Sequence, residues 1–184
     1  MADQDAGWVR AHADDEEDWR QPDQSLIQQV DIAIHNHYLQ QHLKPGMRVL
    51  EMGAGAGRFT RTIAAITRPI VVADISADKL ALNKRNAEAL DYASAVEAWR
   101  QCDMTDLKAQ VGNDQFDAVV CVGGPLSYVF DRREKAVSEL YRVTKPGGLL
   151  FLSARSLFGT LHENLPRILD VNPRMNREII ETGN

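Results

Sequence analysis

The spacing of apolar and polar positions changes repeatedly along the chain, and each change marks an element. Ile27, Val30, Ile34 and Tyr38 recur at three- and four-residue steps, which predicts an amphipathic helix. Ser25-Leu26-Ile27-Gln28 has the S-x-x-Q form of a capping box, in which hydroxyl and amide satisfy orphan N–H groups. Lys44-Pro45-Gly46 stops that helix. Short apolar runs then alternate with helical stretches. Arg48-Val49-Leu50-Glu51-Met52 predicts a strand, followed by Gly53-Ala54-Gly55-Ala56-Gly57 and a helix to about Thr67. Pro69 breaks the chain, and Ile70-Val71-Val72-Ala73 predicts a second strand ending at Asp74, with Ser76 capping a helix that runs to about Leu90. Val96 to Cys102 and Phe116 to Val122 predict the third and fourth strands. Val137, Leu140, Tyr141 and Thr144 mark one face of the next helix, and Lys145-Pro146-Gly147-Gly148 turns into a fifth strand, Leu149-Leu150-Phe151-Leu152.

Strands that are apolar throughout and separated by helices pair in parallel, because each crossover helix covers one sheet face. With right-handed crossovers the expected fold is α/β, a doubly wound and mostly parallel sheet of five strands. Ligands of such sheets bind beyond the carboxyl ends of the strands, where the strand order reverses. Gly53–Gly57, Asp74, Asp103 and Gly123–Tyr128 are therefore expected around one crevice. Residues 1–24 are polar and weakly periodic, an N-terminal arm. Residues 25–155 form the α/β domain, and residues 156–184 a helical segment.

Composition narrows the picture little. The 184 residues are 44% hydrophobic and 26% charged, ordinary for a single globular domain. No apolar run approaches the roughly 20 residues that span a bilayer, and MADQDAGWVR lacks the features of a secretory signal. The expected location is cytoplasmic. Cys102 and Cys121 offer neither a disulfide framework nor a metal spacing and are expected as buried small hydrophobes; no metal site is expected. The net charge of −5 equals that of the run Asp14-Asp15-Glu16-Glu17-Asp18. This balance argues against a nucleic-acid binder, which carries a basic stripe.

The segment Glu51 to Gly57 carries the chemistry. Glycine admits positive φ and lets backbone approach a ligand without an intervening Cβ. An acidic residue about 20 positions on, here Asp74, can accept from ribose hydroxyls. The same glycines also suit a purely structural turn, Asp74 and Asp103 also suit caps, and Met104 also suits packing. The dinucleotide fingerprint G-x-G-x-x-G is broken, since Arg58 stands where its third glycine belongs.

Val49-Leu50-Glu51-Met52-Gly53-Ala54-Gly55-Ala56-Gly57 instead resembles motif I of the class I S-adenosylmethionine-dependent methyltransferases, an acidic residue before G-x-G-x-G. The resemblance runs from about Leu43 to Ser153, through Val72-Ala73-Asp74-Ile75, Cys102-Asp103-Met104, the fourth strand and Lys145-Pro146-Gly147-Gly148. It implies S-adenosylmethionine as cofactor and S-adenosylhomocysteine as product. By the same resemblance Gly53, Gly55 and Gly57 line the methionine and ribose, and Glu51 holds the amino end. Asp74 binds the ribose hydroxyls, Ile75 packs on adenine, Asp103 accepts from the adenine amine and Met104 touches the ring. Val122 and Gly123 lie beside the sulfonium.

The family has an Asn or Asp, two prolines and an aromatic after the fourth strand where it methylates exocyclic amines of bases. Val122-Gly123-Gly124-Pro125-Leu126-Ser127-Tyr128 does not, and looks closer to small-molecule enzymes. His12, His35, His37, His42 and His162 lie outside the motifs, and Tyr128 suits packing as well as substrate contact, so no general base is assigned. The expected activity is methyl transfer to a small-molecule acceptor. An inactive or truncated cofactor-binding module is the alternative, with an RNA methyltransferase and a nicotinamide enzyme behind it. The family usually adds two further strands, for which residues 155–184 show no convincing pattern. An open fifth-strand edge would invite self-association, there or through residues 156–184.

Overall fold

The computed structural model describes residues 26–156 together with 158–159 and 181. Strands β1 (Val49–Met52), β2 (Ile70–Asp74), β3 (Val96–Gln101), β4 (Phe116–Cys121) and β5 (Thr144–Leu152) form one sheet in the order β3-β2-β1-β4-β5. Every neighbouring pair is parallel. Helices α1 (Leu26–His42), α2 (Arg58–Ile66), α3 (Ala77–Ala89) and α4 (Arg133–Val143) flank it, with tight helical turns at Ala93–Ala95 and Pro125–Arg132.

Side chains alternate across a strand, so β1 feeds two cores. Val49 joins Ile70, Val72, Ala118 and Val120 beneath Leu39, Phe59, Ile63 and Leu80, on the face that α1, α2 and α3 cover. Leu50 and Met52 join Val71, Ala73, Val119 and Cys121 against Leu107, Val111 and the α4 residues Ala136, Leu140 and Val143. Burial on both faces explains why β1, β2 and β4 are nearly continuous apolar runs. β3 is an edge strand and its pattern is mixed.

The chain turns at the expected places, and Ser76 caps α3 by accepting from Lys79 N–H at 3.2 Å. Three local expectations need correction. Tyr141 is exposed, because the stripe α4 buries runs through Ala136, Leu140 and Val143; Thr144 already opens β5, its hydroxyl donating to Leu140 O at 2.7 Å. Val30, Ile34 and Tyr38 stay half exposed, because α1 docks through its last turn, Leu39, and through Leu43 beyond it. β5 begins before the Lys145–Gly148 turn, not after it. Phe116 pairs with Thr144 and Ala118 with Leu149, so the turn bulges out of the ladder. A Cβ at Gly148 would lie 2.8 Å from Thr144 Cγ2 and 3.0 Å from Asp117 O.

Ser25, the arm at 1–24 and most of 156–184 lie outside the described residues. Among the described residues no helix is long and apolar enough to cross a membrane.

Candidate functional site

The strand order reverses at β1: β2 and β3 follow on one side of it, and β4 and β5 on the other. The crevice of a doubly wound sheet opens there, at the carboxyl ends. The glycine loop leaves β1 at that point and is braced from three sides. Gly53 and Ala54 donate N–H groups to Ala73 O at 2.8 and 3.1 Å. Asp74 Oδ2 accepts from Gly55 N–H at 2.8 Å, and its Oδ1 from Ser76 N–H at 2.9 Å. From α3, Asn83 Nδ2 donates to Gly55 O at 3.3 Å and Asn86 Nδ2 to Ala56 O at 2.8 Å.

The three motif glycines meet different surroundings. Gly53 (φ +72) is packed: a Cβ there would sit 2.5 Å from Pro125 Cβ and Cγ. A Cβ at Gly57, which precedes α2, would lie 3.1 Å from the Tyr92 hydroxyl and 3.2 Å from Asn83 Nδ2. Gly55 (φ +53) has nothing within 4 Å of such a Cβ. It faces open space, the place where a cofactor could lie on bare backbone.

Glu51 lies beneath this loop, 3% exposed. The Thr60 hydroxyl donates to its Oε2 at 2.5 Å, Asn83 Nδ2 donates to Thr60 Oγ1 at 3.0 Å, and Trp99 Nε1 donates to Asn83 Oδ1 at 3.2 Å. Burial pushes the Glu51 carboxyl up to about 8, the Thr60 bond opposes this, and the Asp74 charge adds to it. Beside it, the buried Tyr92 hydroxyl and Asn86 Oδ1 have no hydrogen-bond partner among the described residues.

The adenine-side residues divide. Ile75, past β2, is 48% exposed and available to a planar ring. Met104 is buried in the core layer with Cys102 and Leu107. Asp103 Oδ1 accepts from Thr105 N–H at 2.8 Å while Oδ2 pairs with Arg132 at 3.1 Å. Burial acts to raise the Asp103 carboxyl, but the Thr105 bonds and the Arg132 charge outweigh it and hold it below its ordinary range. Past β4, Val122 packs partly against the first core layer, and exposed Gly123 donates its N–H to Ser153 Oγ at 2.9 Å. A Cβ on Gly123 would lie 3.2 Å from Phe59. Glu51, the three glycines, Asp74 and Gly123 are thus tied together by contacts through Pro125, Phe59 and α3.

Sequence reasoning passed over Phe59, Asn83, Asn86, Arg132, Ser153 and Arg155. Asn83 and Asn86 carried a signal: i,i+3 amides share one helix face, and Asn83 lies between Leu80 and Ala87, which turn to the core. Arg132 and Arg155 carried none, since long-range pairing leaves no local pattern. Cys102 and Cys121 are free and buried, which pushes their thiols up to about 11 and about 12. Among the described residues no group of His, Cys, Asp and Glu could hold a metal. A cleft lined by Tyr141, Lys145, Pro146 and Leu150 lies at the start of β5 and contains none of the predicted site residues.

Residues 49–148 match the sequence model of a family described as a methyltransferase domain. A demethylmenaquinone methyltransferase of Clavibacter sepedonicus is 36% identical over 107 residues, 58% of this chain and 40% of that protein. A glycine/sarcosine N-methyltransferase of Parasynechococcus marenigrum is 31% identical over 124 residues, 66% of this chain and 40% of that protein. The cyclopropane-fatty-acyl-phospholipid synthase of Escherichia coli K12 is 31% identical over 147 residues, 77% and 33% respectively. The chain therefore spans 40% or less of the length of these curated relatives. Among solved structures, the [4+2]-cyclase SpnF superposes with TM-score 0.60 at 22% identity, over 72% of this chain and 47% of that one. A SAM-dependent methyltransferase from Thiobacillus denitrificans, in complex with S-adenosyl-L-homocysteine, gives 0.51 at 24% identity, over 66% and 46%. These likenesses speak to the fold, and the family match covers the glycine loop and all five strands at least in part. With more than half of its length matched, the chain belongs to the class I S-adenosylmethionine-dependent methyltransferases.

Proposed function

We propose that this chain binds S-adenosylmethionine in the crevice and transfers its methyl group to a small-molecule acceptor. One observation carries the reading: Gly55 presents bare backbone to open space, braced by a carboxylate at the end of β2. A side chain at residue 55 would occupy the very space that a nucleoside would need.

Each Asp74 oxygen accepts one backbone N–H, and a carboxylate oxygen has a second lone pair. Asp74 would thus hold the loop and accept ribose hydroxyls together. Glu51 would hold the amino end, directly or through water, and Ile75 would cover adenine. Asp103 would take the adenine amine on the lone pairs that Thr105 and Arg132 leave. Met104 would back the ring from the core layer, and Val122 and Gly123 would flank the sulfur. The cofactor supplies a methyl group on a positive sulfur, open to in-line attack by a nucleophile. The chain's share is orientation and exclusion of water, which supply a large part of such a barrier. Among the described histidines, His35 bonds Asp31 O at 2.8 Å and packs against Phe59, and His42 lies near Phe151. None is assigned as a base.

Support for a small acceptor comes from the names of the relatives, which refer to a quinone, to glycine and sarcosine and to a fatty-acyl phospholipid, and from the net charge of −5. Calorimetry with S-adenosylmethionine and S-adenosylhomocysteine, paired with a methyl-release assay over an acceptor panel, tests the reading. Binding of both with turnover on a small acceptor is expected. Binding without turnover would reduce the chain to a cofactor-binding module, and failure to bind either would refute the proposal.

A further inference from the structure

Beyond β5 the chain continues beside the segment that follows β4 and is laced to it by two serines. Ser153 Oγ accepts from Gly123 N–H at 2.9 Å, and Ser127 Oγ accepts from Arg155 N–H at 2.8 Å. Ser153 N–H also donates to Cys121 O at 3.1 Å. The Arg155 side chain then runs across Gly124, where a Cβ would lie 3.6 Å from its Cγ and Nε. Its guanidinium carbon stands over the Tyr128 ring, 5.8 Å from the centroid. Pro125, the next residue after Gly124, packs on Gly53 of the glycine loop. Arg155 therefore stands at the rim of the crevice, on the β4–β5 side and away from Asp74 and Ile75.

Other arginines spend their charge inside the fold: Arg48 on Glu97, Arg132 on Asp103 and Arg142 on Glu139. Arg155 has no carboxylate partner among the described residues and is exposed. A guanidinium resting over an aromatic face keeps its N–H edge for a planar or tetrahedral oxyanion, which it binds through two parallel hydrogen bonds. Ser127 holds the Arg155 main chain, and the side chain already lies across Gly124 and over Tyr128, so less freedom is lost on binding.

We propose that Arg155, backed by Tyr128, forms an oxyanion subsite, and that the methyl acceptor carries a carboxylate or phosphate bound there. The anionic group would fix one end of the acceptor, leaving its nucleophilic end toward Gly123. This inference rests on the methyl-transfer reading of the crevice.

The test titrates the chain, saturated with S-adenosylhomocysteine, with benzoate and phenyl phosphate and with their neutral counterparts benzamide and benzyl alcohol. At least one anion should bind in the millimolar range or tighter, about tenfold or more better than the neutral probes. Which anion binds better tells carboxylate from phosphate. Arg155→Gln should abolish that preference, Arg155→Lys should keep part of it, and both should bind S-adenosylhomocysteine as the unmodified chain does. Equal binding of neutral and anionic probes, no anion binding at all, or an Arg155→Gln chain that still prefers anions would overturn the subsite while cofactor binding stands. Failure of S-adenosylhomocysteine to bind would instead strike the methyl-transfer reading itself.

Discussion

Gly53 and Gly55 stand two positions apart in one loop, yet their surroundings differ. At Gly53 a methyl group meets Pro125 at 2.5 Å and the backbone is left-handed. Gly53→Ala should cost about 1–3 kcal/mol of stability, read as a lowered denaturation midpoint. At Gly55 there is room, and Asn tolerates a left-handed backbone. Gly55→Asn should leave the midpoint nearly unchanged and weaken S-adenosylhomocysteine about tenfold or more, because its side chain would enter the space proposed for the cofactor. Glu51 makes a second prediction at this scale. Its carboxyl is raised to about 8 by burial, against an ordinary 4.5. Between those values the folded chain keeps a proton that the unfolded chain has lost, so this group's contribution is full below pH 4.5 and falls as pH rises to about 8. Glu51→Gln should flatten that part of the stability–pH curve, measured by denaturant midpoints across the window. An unchanged curve would mean that Glu51 is ionised in the fold.

Elements are held to one another by a few buried polar ties. Glu139 on α4, 6% exposed, accepts from Leu107 N–H at 3.0 Å and pairs with Arg142 at 2.7 Å. It thereby pins the loop after β3 to the helix that precedes β5. Glu139→Ala strands the Leu107 N–H and should cost about 1–3 kcal/mol in chemical denaturation. The Arg142 bond, opposed by burial, holds the Glu139 carboxyl below its ordinary range. Its stabilising contribution is therefore present above the ordinary carboxylate range and lost as pH falls through the depressed value. At the sheet's end, β5 is only partly buried from Gly148 to Phe151, Leu152 is exposed, and no strand lies beside its outer edge among the described residues. Such an edge favours pairing, so light scattering should show mass rising with concentration. A constant monomer mass would show that the edge is otherwise protected.

For the molecule as a whole, the order of elements was legible because β1, β2 and β4 are buried on both faces and so read as unbroken apolar runs between helices. The turn at Gly53–Gly57 and the acid at Asp74 were legible because a left-handed backbone favours glycine and Asp74 accepts the N–H groups of that turn and of Ser76. Helix faces were less so. Tyr141 and Ile34 fit an apolar period, but which side of a helix docks depends on the partner surface, and that is a tertiary fact. Arg132, Ser153 and Arg155 were illegible for the same reason, each acting on residues 27 or more positions away. On the proposed reading the cofactor would lie on the glycine loop, where the strand order reverses between β1 and β4. Amide chemical shifts of the labelled chain, followed during titration with S-adenosylhomocysteine, test it most directly. The largest changes should fall on Gly55, Asp74, Ile75, Asp103 and Gly123, with Lys145 to Gly148 at the opposite end of β5 unmoved. Shifts centred on Lys145–Gly148, or none around Gly55 at saturation, would contradict it.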